Sequence, residues 1–247
     1  MADYDELKKD MAPKPSSDGK VLRPRDAATL VIVDRTGTDP KVLMGKRRAD
    51  LAFMAGKFVF PGGRADPADK AIVVASDLRA SELAKLQVGM RGTPSAIRAR
   101  ALAAAAIREA FEEAGLIIGA RDATPTKTPP ESWKAFLETG LAPALVGLTF
   151  FARAVTPPGR TRRFDTRFFC IDASAIAERR DIVDGELSGL EWVTMEGARA
   201  LDLPRITRVI LEDLHDQLAD GSLDAGTNPV PYYYSKNGAF KRDLITA

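Results

Sequence analysis

Apolar and polar positions follow two periods along this chain, and the places where the period changes mark its elements. AATLVIVD (27–34) is a β-branched apolar run followed by the turn residues RTGTDP (35–40), and KVLMGKR (41–47) reads as the returning strand of a hairpin. KFVFPGGR (57–64) predicts a further short strand that stops at Pro-Gly-Gly, where the backbone is free to come close to another group. SDLRASELAKLQ (76–87) has helical spacing, with Leu78, Leu83 and Leu86 on one side, until Gly89 and Gly92 break it. Thr93 as N-cap and Pro94 as first helical residue predict a long helix running to Ala114 and stopped by Gly115. Its apolar face uses Leu102, Ala103, Ala106, Ile107, Ala110, Phe111 and Ala114.

The second half repeats the mixture. After a Pro/Thr-rich loop (122–130), ESWKAFLETG predicts a short helix. ALVGLTFFARAVTP (144–157) and RRFDTRFFCIDA (162–173) predict two strong strands around the basic turn PPGRT, and GLEWVT (189–194) predicts another. EGARAL and PRITRVILEDLHDQLAD (204–220) are helical, the latter through Ile206, Val209, Ile210, Leu214 and Leu218. Strands interspersed with helices predict an α/β or α+β sandwich in one domain, spanning about 21–220. A polar arm (1–20) is expected to be loosely ordered, and residues 221–247, with Tyr232–Tyr234, to form a C-terminal extension.

Composition narrows the chemistry. The 247 residues carry a formal net charge of +2, so no strong field points to nucleic acid or a membrane surface, and no basic stripe supports the former. No run approaches the apolar length of a membrane span, and the polar N-terminus lacks a signal-peptide core, so a cytoplasmic setting is expected. A single cysteine, Cys170, leaves no intramolecular disulfide and no Cys-based zinc site; inside a predicted strand it is expected to be core. A single histidine, His215, is expected at the surface and makes His-ligated zinc or a Ser-His-Asp triad improbable. The chemistry must run on carboxylates, lysines, arginines or hydroxyls.

REAFEEAGL (108–116) concentrates those groups. On a helix Glu109, Glu112 and Glu113 stand at i, i+3 and i+4 and share one face, where like charges repel by roughly a few tenths of a kcal/mol per pair. Arg108 offsets part of this through its i+4 partner Glu112. Three carboxylates facing one way suggest a cation.

These residues resemble the signature of the Nudix hydrolases, G-x5-E-x7-R-E-U-x-E-E-x-G-U, where U is a bulky aliphatic residue. The match from Arg108 to Leu116 holds at every fixed polar and glycine position, with Ala110 in place of a larger aliphatic residue. Upstream, Pro61-Gly62-Gly63 supplies the glycine, but the sixth residue on is Asp69 rather than Glu, and 38 residues separate it from Arg108 where the signature has seven. An insertion, about residues 70–93, accounts for the gap and is expected to roof the pocket. The shorter reach of Asp69 is expected to weaken any share in the site. The spacing Arg47, Leu51, Gly56, Phe60-Pro61-Gly62-Gly63 is similar to the coenzyme A-cleaving branch, which often has His where this chain has Met54. RFDTRFF (163–169) and AIREAFEEAG also resemble members with a long insertion, so the resemblance covers roughly 27–215.

The resemblance implies an α/β/α sandwich with a mixed sheet, a helical insertion and a C-terminal helix. It implies Mg²⁺ or Mn²⁺ held by Glu109, Glu112, Glu113 and the Gly63 carbonyl, with Arg108 orienting the carboxylates. Hard carboxylate oxygens suit such ions. Arg47, Gly62, Gly63 and Arg64 are the implied substrate contacts, and Glu186, six residues before Trp192, is a further metal ligand or general base; the bland alternative is a solvated turn. The implied substrate is a nucleoside diphosphate linked to another moiety, coenzyme A or an acyl-CoA first, with ADP-ribose, NADH and dinucleoside polyphosphates as alternatives. A homodimer, and a Nudix fold kept as a non-catalytic ligand-binding module, are the remaining implied readings. Arg160, Arg162 and Arg163 are expected to form a solvated hairpin tip rather than grip a phosphate, and Tyr232–Tyr234 to pack or to stack on a base.

Overall fold

The computed structural model of the protein describes residues 4–12, 22–50, 55–121, 128–181 and 185–246; Leu51 and Met54 of the upstream pattern lie outside them. A short helix, α1 (Tyr4–Asp10), precedes β1 (Arg25–Asp34), β2 (Lys41–Arg47), β3 (Phe58–Val59) and β4 (Gly62–Arg64). Then come α2 (Ala80–Gln87), α3 (Ala96–Ala114), β5 (Leu116–Ile117), β6 (Gly119–Ala120), α4 (Glu131–Leu137) and β7 (Ala142–Pro143). The chain continues through β8 (Thr149–Val155), β9 (Phe164–Asp172), β10 (Glu178–Arg179), β11 (Leu187–Thr194), α5 (Met195–Ala200), α6 (Arg205–Ala219), α7 (Ser222–Ala225), β12 (Val230–Lys236) and β13 (Ala239–Ile245).

One mixed sheet runs β11-β2-β1-β9-β8-β12-β13, with β3 against β2 and β4 against β1. Strand β1 divides one edge between two partners: Val33 and Asp34 pair with β2, while Ala27–Thr29 pair with β4. Its other edge runs parallel to β9 along nearly its whole length. Alternation along β1 sends Ala28, Leu30 and Ile32 to a core shared with α3, α4 and Phe169, and Val31 and Val33 to a second core shared with α6 and Phe168. The result is a helix–sheet–helix sandwich, as the sequence pattern and the resemblance imply.

Helix α3 is caged by its own composition. Ala99, Ala103, Ala106 and Ala110 are fully buried, and their small size lets the helix lie close on the sheet. It begins later than Thr93: Ser95 is the N-cap, accepting from the Arg98 N–H at 3.3 Å. Gly115 ends it as expected, in a left-handed conformation at φ 67° that a side chain would strain.

Three outer segments join the sandwich. Within the N-terminal arm Tyr4–Asp10 is helical, and Leu7 and Met11, four apart, both bury in the α6-side core. Residues expected as a C-terminal extension supply β12 and β13, and β12 continues the sheet alongside β8. Tyr233 is buried there with its hydroxyl donating to Asp213 of α6 at 2.8 Å, while Tyr232 stacks on Tyr234 and lies under the Arg153 guanidinium at 4.3 Å. The insertion packs on the α3 face. Ile72, Leu78, Leu86 and Met90 enter that core, and Glu82, fully buried, accepts from the Phe150 N–H at 2.7 Å and pairs with Lys85 at 2.8 Å. Lys85 also donates to Asn228. Cys170 is buried and His215 exposed, as expected. Among the described residues no helix is long and apolar enough to cross a membrane.

Candidate active site

The site forms where α3 meets the glycines of β4. Gly62 N–H donates to Glu113 Oε2 at 2.9 Å, and a Cβ on Gly63 would lie 2.3 Å from Glu109 Oε2. Only a residue without a side chain lets the helix carboxylates pass this close to the strand.

Arg108 organises the cluster from below. It is 4% exposed. Its Nε donates to Asp69 Oδ1 at 2.9 Å, one terminal nitrogen reaches Glu109 at 2.9 Å and Glu112 at 3.0 Å, and the other reaches the Arg64 carbonyl at 2.9 Å. Asp69 is therefore a full member of the cluster, against the expectation from its length. A turn of 3-10 helix (Pro67–Lys70), capped reciprocally by Asp66 and Asp69, brings its backbone close enough for the shorter side chain to suffice. Trp133 of α4 donates its indole N–H to the same carboxylate at 2.9 Å. No local pattern marks Trp133 for this; it stands 64 residues from Asp69 in the chain.

Arg47, at the end of β2, joins the rest. It pairs with Glu186 at 2.7 Å and lies 3.7 Å from Glu113. Burial dominates the electrostatics. It raises the Glu113 carboxyl to about 8, with repulsion from Glu109 and Glu186 adding and the Gly62 N–H and Arg47 opposing. Burial likewise raises Glu109 to about 7, Arg108 opposing and Glu112 and Asp69 adding. Glu112 is raised for the same leading reason, although Arg108 holds it down. On Arg108 burial works against the charge, yet Asp69, Glu109 and Glu112 outweigh it and its proton is held more tightly than usual.

Glu109, Glu113, Glu186, Arg47, Gly62, Gly63 and Arg64 all line one cavity of about 390 Å³. Glu112 faces Arg108 beside it, with its side chain 40% exposed. The cavity floor was not foreseen from the sequence. Register places Gly62, Thr29 and Phe168 in one row across β4, β1 and β9, and Arg64, Ala27 and Thr166 in the next. Phe164 and Thr156 continue it toward the β8–β9 turn, and Ile206 and Thr207 of α6 close one side. None of residues 70–93 lines it, so the insertion does not form its roof; it lies across the sheet instead.

Five carboxyl groups (Asp69, Glu109, Glu112, Glu113, Glu186) are gathered around the guanidiniums of Arg47 and Arg108, which concentrates acidic oxygen donors beside an open cavity. Among the described residues no group of three or more His, Cys, Asp or Glu side chains stands close enough together to hold a metal ion by itself. An all-oxygen, incompletely closed set suits a hard divalent ion that takes one or two protein carboxylates and completes its shell with water and phosphate oxygens.

Neither family models nor curated proteins match the sequence. Among solved structures, the chain is similar to a Nudix hydrolase from Alicyclobacillus acidocaldarius: TM-score 0.62 and 28% identity over 82% of this chain and 96% of that one. That match, the sandwich and REAFEEAGL folded against Pro-Gly-Gly give this chain the fold and the site geometry of the Nudix hydrolases, enzymes acting on phosphorus-containing anhydrides. Lesser similarity extends to the M. smegmatis Nudix hydrolase RenU (TM-score 0.44, 18% identity, 83% of this chain and 92% of that one). The NUDIX domain of Shewanella oneidensis NrtR, solved with ADP ribose, gives TM-score 0.46 and 11% identity over 88% of this chain and 99% of that one.

Proposed function

We propose that the protein is a Mg²⁺- or Mn²⁺-dependent diphosphohydrolase that cleaves a nucleoside diphosphate joined to another group, with coenzyme A or an acyl-CoA as favoured substrate. The observation that carries this reading is the opening of Glu109, Glu113, Glu186 and Arg47 into one cavity beside Gly63. Glu109, Glu112, Glu113 and the Gly63 carbonyl would hold the ion. A bound divalent ion neutralises diphosphate charge and acidifies water.

The chain's own residues do the rest. Arg108 and Asp69 fix Glu109 and Glu112, so the carboxylates need no reorganisation when substrate arrives. Arg47 holds Glu186 at the cavity wall, where its carboxylate accepts the proton of the attacking water. Arg64 offers a guanidinium to phosphate oxygens. A new P–O bond forms to water, the bridging P–O bond breaks, and two phosphate monoesters leave.

The coenzyme A preference rests on the spacing of Arg47, Gly56 and Phe60-Pro61-Gly62-Gly63. A panel of coenzyme A, ADP-ribose, NADH and diadenosine polyphosphates with Mg²⁺ tests it, read as released phosphate products. The highest kcat/KM is expected on coenzyme A. A higher value on another member would replace that substrate, and turnover of none with either Mg²⁺ or Mn²⁺ would favour a ligand-binding module. A homodimer and a cytoplasmic setting are part of the same proposal, resting on the family resemblance and on the lone cysteine.

A further inference from the structure

The β8–β9 turn carries three arginines, and the fold treats them differently. Arg160 donates to the Asp10 carbonyl and pairs with the Asp10 carboxylate at 3.5 Å. Arg163 donates to the carbonyls of Thr156 and Leu22. Both are spent on holding the turn against α1 and the approach to β1. Arg162 has no hydrogen bond or ion pair among the described residues, and it alone of the three lines the cavity of Glu109 and Glu113.

Its position within that cavity is what gives it meaning. The carboxylates and Arg64 sit at the β4 end, whereas Arg162 stands just before β9, two strand spacings or about 10 Å across the sheet. Between them the floor is small or aromatic: Ala27, Thr29, Thr166, Phe164 and Phe168. The cavity therefore has an anionic end suited to a cation and diphosphate, a middle suited to a sugar and base, and an unneutralised guanidinium at the far end. A neighbouring phosphate of the same polyphosphate chain would lie beside the carboxylates and within reach of Arg64, too close to need Arg162. An anion attached further along the nucleotide would reach it.

We propose that Arg162 binds a phosphate monoester on the ribose of the substrate, a second anion held apart from the diphosphate that is cleaved. This rests on the diphosphohydrolase reading above for what occupies the β4 end. A guanidinium presents two parallel donors to a phosphate, and such charge-assisted pairs discriminate strongly against a nucleotide with a bare hydroxyl there.

Calorimetric titration of the intact protein with adenosine 3',5'-bisphosphate and with adenosine 5'-monophosphate, in the presence of Mg²⁺, tests the subsite without requiring turnover. Wild type is expected to bind the bisphosphate about tenfold or more tightly than the monophosphate. Arg162→Ala should bring the ratio near one, and Arg162→Lys should restore part of it. In hydrolysis, Arg162→Ala should bring the kcat/KM ratio of coenzyme A to dephospho-coenzyme A near one, chiefly through KM. A wild-type protein that binds the two nucleotides equally, or an Arg162→Ala protein that keeps the preference, overturns the proposal. A preserved and Arg162-dependent preference with no hydrolysis of either coenzyme supports the subsite and overturns the diphosphohydrolase reading instead.

Discussion

Arg108 has three carboxylate partners, and Asp69 is the one whose side chain has no access to solvent. Removing that charge leaves a buried guanidinium half-paired, a change that costs roughly 3–5 kcal/mol when one partner of a buried pair is lost. Asp69→Asn keeps the shape and one acceptor, so a loss of about 3 kcal/mol is expected in urea unfolding; an unchanged midpoint would mean the pair does not hold the site. Glu112→Gln and Glu113→Gln should abolish metal-dependent hydrolysis while leaving the circular dichroism spectrum intact. Unchanged turnover in either would remove that residue from the site. The raised carboxyls of Glu109 and Glu113, about 7 and 8 against an ordinary 4.5, mean that the metal-free folded chain holds protons the unfolded chain releases. Their stabilising share is complete below about 4.5 and is lost as pH rises through 7 and 8. The melting temperature without metal should fall across that window, and added Mg²⁺ should lift it most at the upper end; a flat metal-free profile would contradict the burial of these groups. Glu109, Glu112, Glu113 and Arg108 were legible in the sequence because helical period alone puts them together. Asp69 was not, because its share depends on a capped turn 39 residues away from Arg108.

Helix α2 shows what an element can hide. Its amphipathic spacing was visible, but spacing cannot say which face of the sheet receives it. The structure seats it on the α3 side through Leu86, Glu82 and Lys85, with Asn228 closing the pair. A network of the buried Arg153, Asp165 and Arg167 with the half-buried Asp26 lies beside it, and Arg153 reaches the Val88 and Gly89 carbonyls. Deleting residues 71–90 should therefore abolish cooperative folding rather than change substrate preference. Thermal melts of the deleted protein check this; a sharp transition with altered selectivity would restore the view of the insertion as a roof. Helix α3 starts later than its local cap signal for a related reason. Thr93 and Pro94 form a locally good cap, yet Ser95 is the residue whose hydroxyl accepts from the first turn.

At the scale of the molecule, the sheet is completed by β12 and β13, the last two strands of the fold. Truncation after Asn228 would remove β12 and β13, unpair the outer edge of β8 and strip Tyr233 from Asp213. The truncated protein should elute as aggregate in size-exclusion chromatography; a soluble monomer would show that the edge needs no cover. The sequence by itself determined the strands and helices with strong periodicity and the acidic helix face with its glycine partner. These are local facts, fixed by residue type and spacing within a turn or two. Tertiary structure decided what depends on contacts between distant segments: that Asp69 and Trp133 brace Arg108, that the insertion lies across the sheet from the cavity, and that Arg162 rather than its neighbours faces it. The reason is register. Pairing β4, β1 and β9 sets which side chains share a floor, and no single segment contains that information.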